Sequence, residues 1–298
     1  MTNFYELSKQ YALNKLATYY KEEEKYPADV AMKKAEKKIN TLIRPAEIYD
    51  ISNSKTTLDN IYKRLLISCQ NRNMMSSVIK FDKREEKFAD ILEQFNPSKI
   101  LKKYKSGEDL YKIFEQTKEF GVNKEHNELW KSFAQSVIDG AKFISRFDNV
   151  EAFKKMIGNI ASYFPGTMMI PRLICGEIRG MGEALACDFI KEIGYVEYAK
   201  PDVHINYIIK EICNIDAIYD NESIKVKDKE KITAIEVLNA IQQIAKNAGV
   251  SAFAVDKILW LIASGKYYDV DGKEPTIKIK NPANQDLRDE FLEKIKEA

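Results

Sequence analysis

Two glycines separated by one residue stand between two apolar segments near the middle of the chain. The segments, Ile170–Ile178 and Ala184–Ile193, have the spacing of short helices, and Arg179-Gly180-Met181-Gly182 joins them. Glycines permit positive φ and lack Cβ, so backbone N–H groups can approach a phosphate closely. The second helix adds the free N–H groups and partial positive charge of its N-terminus. This segment therefore predicts a phosphate-binding hairpin.

A carboxylate follows the hairpin, in Lys200-Pro201-Asp202-Val203-His204. An ionised carboxylate can stabilise positive charge that develops as a bond breaks, and it can position or deprotonate a water molecule. Asp202 also suits the N-cap of a helix that begins at Val203, and both roles can hold together. His204 is one of only two histidines, so a Ser-His-Asp triad has little support.

Other phosphate and metal sites are disfavoured. A dinucleotide-binding fold needs a strand before the first glycine and a third glycine after it, but Pro171 precedes this hairpin and Leu185 occupies the third position. The cysteines are too far apart for a zinc knuckle or an iron–sulfur cluster. We expect all four to be reduced, buried thiols: Cys69, Cys175, Cys187 and Cys213.

The hairpin, together with Asp202 and His204, resembles the helix-hairpin-helix DNA glycosylase superfamily. In that family a hydrophobic-Gly-hydrophobic-Gly hairpin is followed, one helix later, by Val-Asp-(Thr/Val)-His, although Pro201 replaces the valine here. The resemblance implies that Asp202 is the catalytic carboxylate and that His204 is its companion at the DNA. It also implies DNA contacts by the hairpin residues Gly180, Met181 and Gly182.

A second block strengthens the resemblance. Leu66-Ile67-Ser68-Cys69-Gln70-Asn71-Arg72-Asn73 is similar to Leu-Leu-Ser-Ala-Gln-Ala-Thr-Asp of the endonuclease III branch. In that branch the glutamine enters the duplex where the target base has left, which implies this role for Gln70. We also expect Arg72, close by in the same block, to contact DNA. Without the resemblance, both residues are simply polar residues at the end of a helix over 57–70.

Departures from the family pattern limit the chemistry. Bifunctional members have a lysine two residues after the second hairpin glycine, whereas Ala184 here has no amine for a Schiff base. The C-terminal four-cysteine cluster of endonuclease III relatives is absent. The resemblance thus implies a monofunctional glycosylase that hydrolyses the N-glycosidic bond and has no lyase activity. It implies no metal or organic cofactor, although hairpin carbonyls in this family often hold a monovalent cation.

Several questions stay open in the sequence. The excised base is not identified, and the candidates for its pocket are Ala184, Asn71 and Tyr198, of which Tyr198 also suits the core. A noncatalytic relative that recognises modified or distorted DNA is the alternative. A helical interaction module without a nucleic-acid partner is a third hypothesis, because acidic residues surround the hairpin: Glu177, Glu183, Asp188 and Glu192.

Composition is consistent with a local polyanion contact. The 298 residues are 45% hydrophobic and 31% charged, with a formal net charge of +2. Residues 55–105 have 12 basic and 6 acidic side chains, a local excess of +6. No signal peptide or membrane span is evident, so we expect a cytoplasmic monomer, associated with the nucleoid when it binds double-stranded DNA, and no membrane partner.

Helical periodicity dominates the chain and predicts an all-α fold. Apolar residues recur at spacings of three and four in about a dozen segments, with breaks at Pro97, Gly107, Gly121, Gly194 and Pro201. A short strand is expected near residues 224–226. By resemblance we expect two helical domains with a cleft between them. One combines residues 1–55 with 200–298, and the other, a helical barrel over 56–199, contains the hairpin at about 170–193.

Overall fold

The structure is a computed structural model that describes residues 4–72, 75–163, 167–212, 232–268, 276–280 and 286–297. Within these ranges regular structure is almost entirely α-helical, which confirms the expected all-α class. Two strands of two residues each, β1 (Lys266–Tyr267) and β2 (Ile277–Lys278), pair in antiparallel orientation. The strand expected at 224–226 lies outside the described residues.

Fifteen α-helices occur in the described part of the chain. In order they are α1 (Phe4–Glu22), α2 (Ala28–Leu42), α3 (Leu58–Gln70), α4 (Met75–Ile79), α5 (Glu85–Ile91), α6 (Pro97–Lys103), α7 (Gly107–Gln116), α8 (Asn127–Ile144), α9 (Val150–Tyr163), α10 (Met169–Glu177), α11 (Glu183–Glu192), α12 (Val203–Ile212), α13 (Ala234–Ala248), α14 (Ala252–Ser264) and α15 (Leu287–Glu297). Short 3₁₀ helices occur at Phe81–Arg84, Glu93–Phe95, Lys118–Phe120 and Lys124–His126.

The chain divides into two compact units. Unit 1 consists of Met1–Pro45 and Val196–Ala298, and unit 2 consists of Ala46–Tyr195. The sequence placed these boundaries at 55/56 and 199/200. The loop before α3 belongs to unit 2, because Ile51 N donates to Ile193 O at 3.0 Å.

Unit 1 is built around α14, which is buried along nearly its whole length. The helices α1, α12, α13 and α15 pack against it. Ser251 caps its N-terminus and Gly265, with φ +61°, ends it. The chain segment after β2 returns to this end of the helix, where Ile279 N donates to Gly265 O at 2.8 Å.

Unit 2 has an aromatic core around α8. Phe88 stacks on Phe120 at a ring separation of 4.6 Å, and Trp130 lies 5.2 Å from Phe120. Phe114 and Phe133 extend the same buried cluster. α8 also packs against α3 and α10, and α3 packs against α11, so this core fixes the helices on both sides of the hairpin.

Candidate nucleic-acid interface

The hairpin between α10 and α11 contains a tight turn in unit 2. Met181 N donates to Ile178 O at 3.2 Å and closes the turn. Gly180, the third of its four residues, has φ +86°. A positive φ at this position is the mark of a type II turn, and glycine adopts it without strain.

Arg72, just beyond the end of α3, lies against this turn. A Cβ on Gly180 would stand 2.8 Å from Arg72 Nη1 and 3.3 Å from Ser132 Oγ. Arg72 Nη1 donates to Ser132 Oγ at 2.9 Å, and the residue as a whole is exposed. The structure thus brings together Arg72 and Gly180, which belong to two separate sequence motifs.

Polar residues of α8 hold the turn in place. Ser136 Oγ donates to Arg179 O at 2.8 Å, and Arg179 N donates to Asp139 Oδ2 at 3.3 Å. Both backbone polar groups of Arg179 are therefore satisfied by one helix. Sequence reasoning missed these residues, because Ser132, Ser136 and Asp139 are three of many polar residues on α8 and no local pattern distinguishes them.

The N-terminus of α11 is open. Leu185 N and Ala186 N donate to Gly182 O, each at 3.0 Å, so the N–H groups of the three preceding residues lie before the first intrahelical bond. Gly182 provides no side-chain cap, and a Cβ there would meet no described atom within 4 Å. Ala184 is half-buried in the first turn. Amides arranged in this way favour an anion.

Acidic side chains beside the hairpin are paired with arginines. Glu177 lies 2.7 Å from Arg146, and this hydrogen bond lowers the pKa of the Glu177 carboxyl. Glu183 Oε1 accepts a hydrogen bond from Arg172 Nε at 2.8 Å. The acidic surroundings that favoured an interaction module are thus partly neutralised within the protein.

Two residues expected to contact DNA are buried instead. Gln70 is 3% exposed and its Oε1 accepts from Phe81 N at 3.0 Å. A side chain that enters a duplex must be exposed, so that role for Gln70 is wrong in this conformation. Met181 is 4% exposed and its N–H already donates to Ile178 O, so this residue anchors the turn and its amide is engaged within the protein.

The candidate pocket residues are not alike in exposure. Asn71 is exposed directly after α3, and its N–H donates to Ser68 O at 3.0 Å. Tyr198 is fully buried in unit 1. It therefore belongs to the core of that unit, and the expectation that it lines a pocket for an extruded base is corrected.

Asp202 directly precedes α12 in unit 1. Its Oδ1 accepts from His204 N at 3.0 Å and from Ile205 N at 3.2 Å, which confirms the expected N-cap. Its Oδ2 lies 3.8 Å from Lys200 Nζ. The loop is fixed further by Lys200 N, which donates to the buried carboxylate of Asp256 at 2.9 Å. Oδ1 thus orients the carboxylate through the cap, whereas Oδ2 makes neither of these capping hydrogen bonds.

His204 is half-buried on the first turn of α12. Burial lowers its pKa, as do the positive charges of Arg288 and Lys266, while the carboxylates of Asp202 and Asp286 act in the opposite direction. Its Nδ1 is buried without a hydrogen-bond partner among the described residues. The surroundings therefore favour the neutral imidazole. Asp202 and His204 lie in unit 1, whereas the hairpin and Arg72 lie in unit 2.

The described residues contain no group of three or more His, Cys, Asp or Glu side chains that could hold a metal ion. Cys69 and Cys187 are buried, whereas Cys175 is half-buried rather than buried as expected, and none of the three forms a disulfide. Burial raises the pKa of the Cys69 thiol to about 12, so it remains protonated near neutral pH. Cys213 lies outside the described residues.

No protein-family model matches the chain, and neither the curated proteins nor the solved structures contain a match. Among the helices described, none combines the length and the apolar character needed to cross a membrane.

Proposed function

We propose that this chain is a monofunctional DNA glycosylase that excises a damaged or modified base from double-stranded DNA. The observation that supports this most is the close approach of Arg72 to the hairpin turn at Gly180. These residues come from the two separate motifs that resemble the glycosylase superfamily. A guanidinium that lies against the turn leading into an open helix N-terminus suits one phosphodiester group.

DNA binding comes first in this proposal. The hairpin amides and Arg72 contact the backbone, which positions the duplex without reading its sequence. The target nucleotide then leaves the base stack, at a cost of a few kcal/mol that the backbone contacts offset. With Gln70 buried, another side chain must fill the gap that the nucleotide leaves.

Asp202 then supports bond cleavage. Positive charge develops on the sugar as the N-glycosidic bond lengthens, and an ionised carboxylate stabilises that charge more than it stabilises the neutral ground state. The amides of His204 and Ile205 hold Oδ1, so the direction of Oδ2 is fixed before substrate arrives. Water supplies the oxygen that bonds to the anomeric carbon, and its proton leaves with the base.

The product is an intact strand with an abasic site. Ala184 has no amine, so the imine through which bifunctional relatives cut the strand cannot form at that position. No organic cofactor takes part, and a monovalent cation at the hairpin carbonyls is compatible with the proposal.

A noncatalytic DNA-binding relative is the second candidate. The observation that favours it is the complete structural role of Asp202, whose Oδ1 caps α12 while Lys200 Nζ lies 3.8 Å from Oδ2. An aspartate in this position stabilises the fold even without turnover. Such a protein would keep the hairpin contacts and recognise modified or distorted DNA.

A panel of duplexes, each with one altered base, tests the proposal. Uracil, alkylated purines, oxidised guanine and bulky modified pyrimidines are incubated with excess protein, and abasic sites are scored as breaks after alkali. We expect breaks in at least one class and none in the unmodified duplex. Binding of altered duplexes without base release would support the noncatalytic relative, and absence of any DNA binding would support the interaction module.

A further inference from the structure

Three polar side chains follow one face of α3 and its end at intervals of four residues: Arg64, Ser68 and Arg72. Each contacts a point on α11 or on the hairpin before it. Their partners run backwards along the chain, from Glu192 and Asp188 to Gly180. The two segments therefore pair in antiparallel orientation. We call the row formed by Arg64, Ser68 and Arg72 with these partners the polar ladder, and it has one register along its length.

The inner part of the polar ladder is a buried network of three side chains. Arg64 Nη2 lies 3.1 Å from Asp188 Oδ2, and Ser68 Oγ donates to the same oxygen at 2.8 Å. Ser68 Oγ also accepts from Arg64 Nη1 at 2.9 Å. All three residues are less than 10% exposed. Ser68 thus connects to both members of the ion pair with one hydroxyl group.

The charge of Arg64 is maintained in spite of its burial. Desolvation alone would lower the pKa of its guanidinium, but the nearby carboxylates of Asp188 and Glu192 raise it above its ordinary value. A buried charge is costly unless its partners are in place, and a shift of α11 along α3 would move the guanidinium of Arg64 away from both of these carboxylates. The pair therefore favours one register of the two helices.

The outer part of the polar ladder is the candidate phosphate site. Arg72 lies two residues beyond the end of α3, where its guanidinium donates to Ser132 and lies against the turn at Gly180. Because Arg72 directly follows the C-cap of α3, the register that Asp188 sets between α3 and α11 decides where Arg72 stands relative to the hairpin amides.

We propose that Arg64, Ser68 and Asp188 are positioning residues that hold Arg72 and the hairpin amides at the separation needed to bind one phosphate. The inference rests on the proposed DNA-binding function and adds the contacts that set the position of Arg72 relative to the hairpin. It assigns a functional reason to buried polar groups that the resemblance leaves unexplained. The buried network of Arg64, Ser68 and Asp188 stabilises the register of α3 and α11, and this register places Arg72 against the hairpin turn.

Ser68→Ala is the most selective test, because it removes two hydrogen bonds but leaves the Arg64–Asp188 ion pair and nearly the same volume. We expect a roughly tenfold weaker affinity for an unmodified duplex and a slope of log K against log salt that is less steep by about one, as for loss of one phosphate contact. Arg72→Ala should give the same slope. The double variant should bind no more weakly than Arg72→Ala, because Ser68 acts through Arg72.

Ser8→Ala is the matched control. Ser8 is a buried serine of unit 1 whose Oγ donates to Phe4 O at 2.7 Å, so its loss should lower thermal stability without changing the salt slope. Asp188→Asn provides a second variant, in which the slope should also decrease by about one. Asparagine has nearly the same size as aspartate, so this variant tests the negative charge of Asp188.

Wild-type affinity and slope in both Ser68→Ala and Asp188→Asn, with reduced stability, would overturn the inference and leave a purely structural network. Additive losses in the Ser68→Ala, Arg72→Ala double variant would also overturn it. A wild-type protein that does not bind DNA would refute the proposed function itself, and the inference with it.

Discussion

Gly180 and Gly182 have different structural roles, although both are glycines of the same hairpin motif. Gly180 has φ +86° and is covered by Arg72, so any side chain there strains the backbone and displaces the guanidinium. Gly182 has φ −87° and faces open space, so no described part of the protein requires glycine there. The missing side chain at Gly182 leaves room for a ligand, and this makes it the cleaner position to test.

Gly182→Val should weaken DNA binding about tenfold at every sequence, because the side chain blocks backbone approach to phosphate. Folding stability should fall by about 1 kcal/mol or less, since only the capping preference changes. Fluorescence anisotropy with unrelated duplexes measures the effect. Gly158→Val, at an exposed open position on α9, should bind as wild type. Unchanged affinity in a folded Gly182→Val would remove the hairpin from the mechanism.

Gln70→Ala should lower the free energy of unfolding by about 1–3 kcal/mol, because it leaves the buried Phe81 N–H without its acceptor. Base flipping, followed with a fluorescent base analogue beside the target, should keep its wild-type rate. Denaturant unfolding gives the stability. Slower flipping at unchanged stability would instead show that Gln70 enters the duplex.

Borohydride should trap no protein–DNA adduct with wild-type protein and an abasic duplex. The amine that would form the imine is missing at Ala184. Gel electrophoresis of the reduced mixture provides the measurement. An adduct that disappears in Lys200→Ala would contradict the expectation and identify Lys200, whose Nζ lies 3.8 Å from Asp202 Oδ2, as the amine.

At the scale of elements, periodicity predicted most of the long helices, because their apolar residues recur on one face. It missed α6, since Pro97 was interpreted as a break. Pro97 in fact occupies the first helical position, where it costs no hydrogen bond, and Asn96 caps the helix by accepting from Lys99 N at 3.0 Å. The helix α4 and both strands are too short for any pattern to show.

Site residues were predicted less well than helices. The hairpin turn and the Asp202 cap follow from local sequence, and both are present. The resemblance implies an exposed Gln70 that enters the duplex, but this side chain lies one turn after the buried Leu66, and its partner Phe81 is eleven residues away. Contacts made by tertiary packing, such as those from α8 to the turn, have no local signature.

At the scale of the whole molecule, the proposal assigns DNA binding and bond cleavage to residues of different units. The hairpin, Arg72 and the basic segment 55–105 lie in unit 2, whereas Asp202 and His204 lie in unit 1. The net charge of the chain is only +2, so attraction to DNA has to come from this local excess of basic residues. The proposal therefore predicts that binding and base release can be separated by mutation.

Base release under single-turnover conditions by wild-type protein and by Asp202→Asn tests the central claim most directly. Asparagine retains the size and the capping ability of aspartate but removes the charge. Release should slow by at least about 10²–10³-fold while duplex affinity stays within about twofold of wild type. Asp29→Asn, an exposed aspartate in the first turn of α2, should be fully active. Full base release by Asp202→Asn would contradict the assignment of this carboxylate to catalysis.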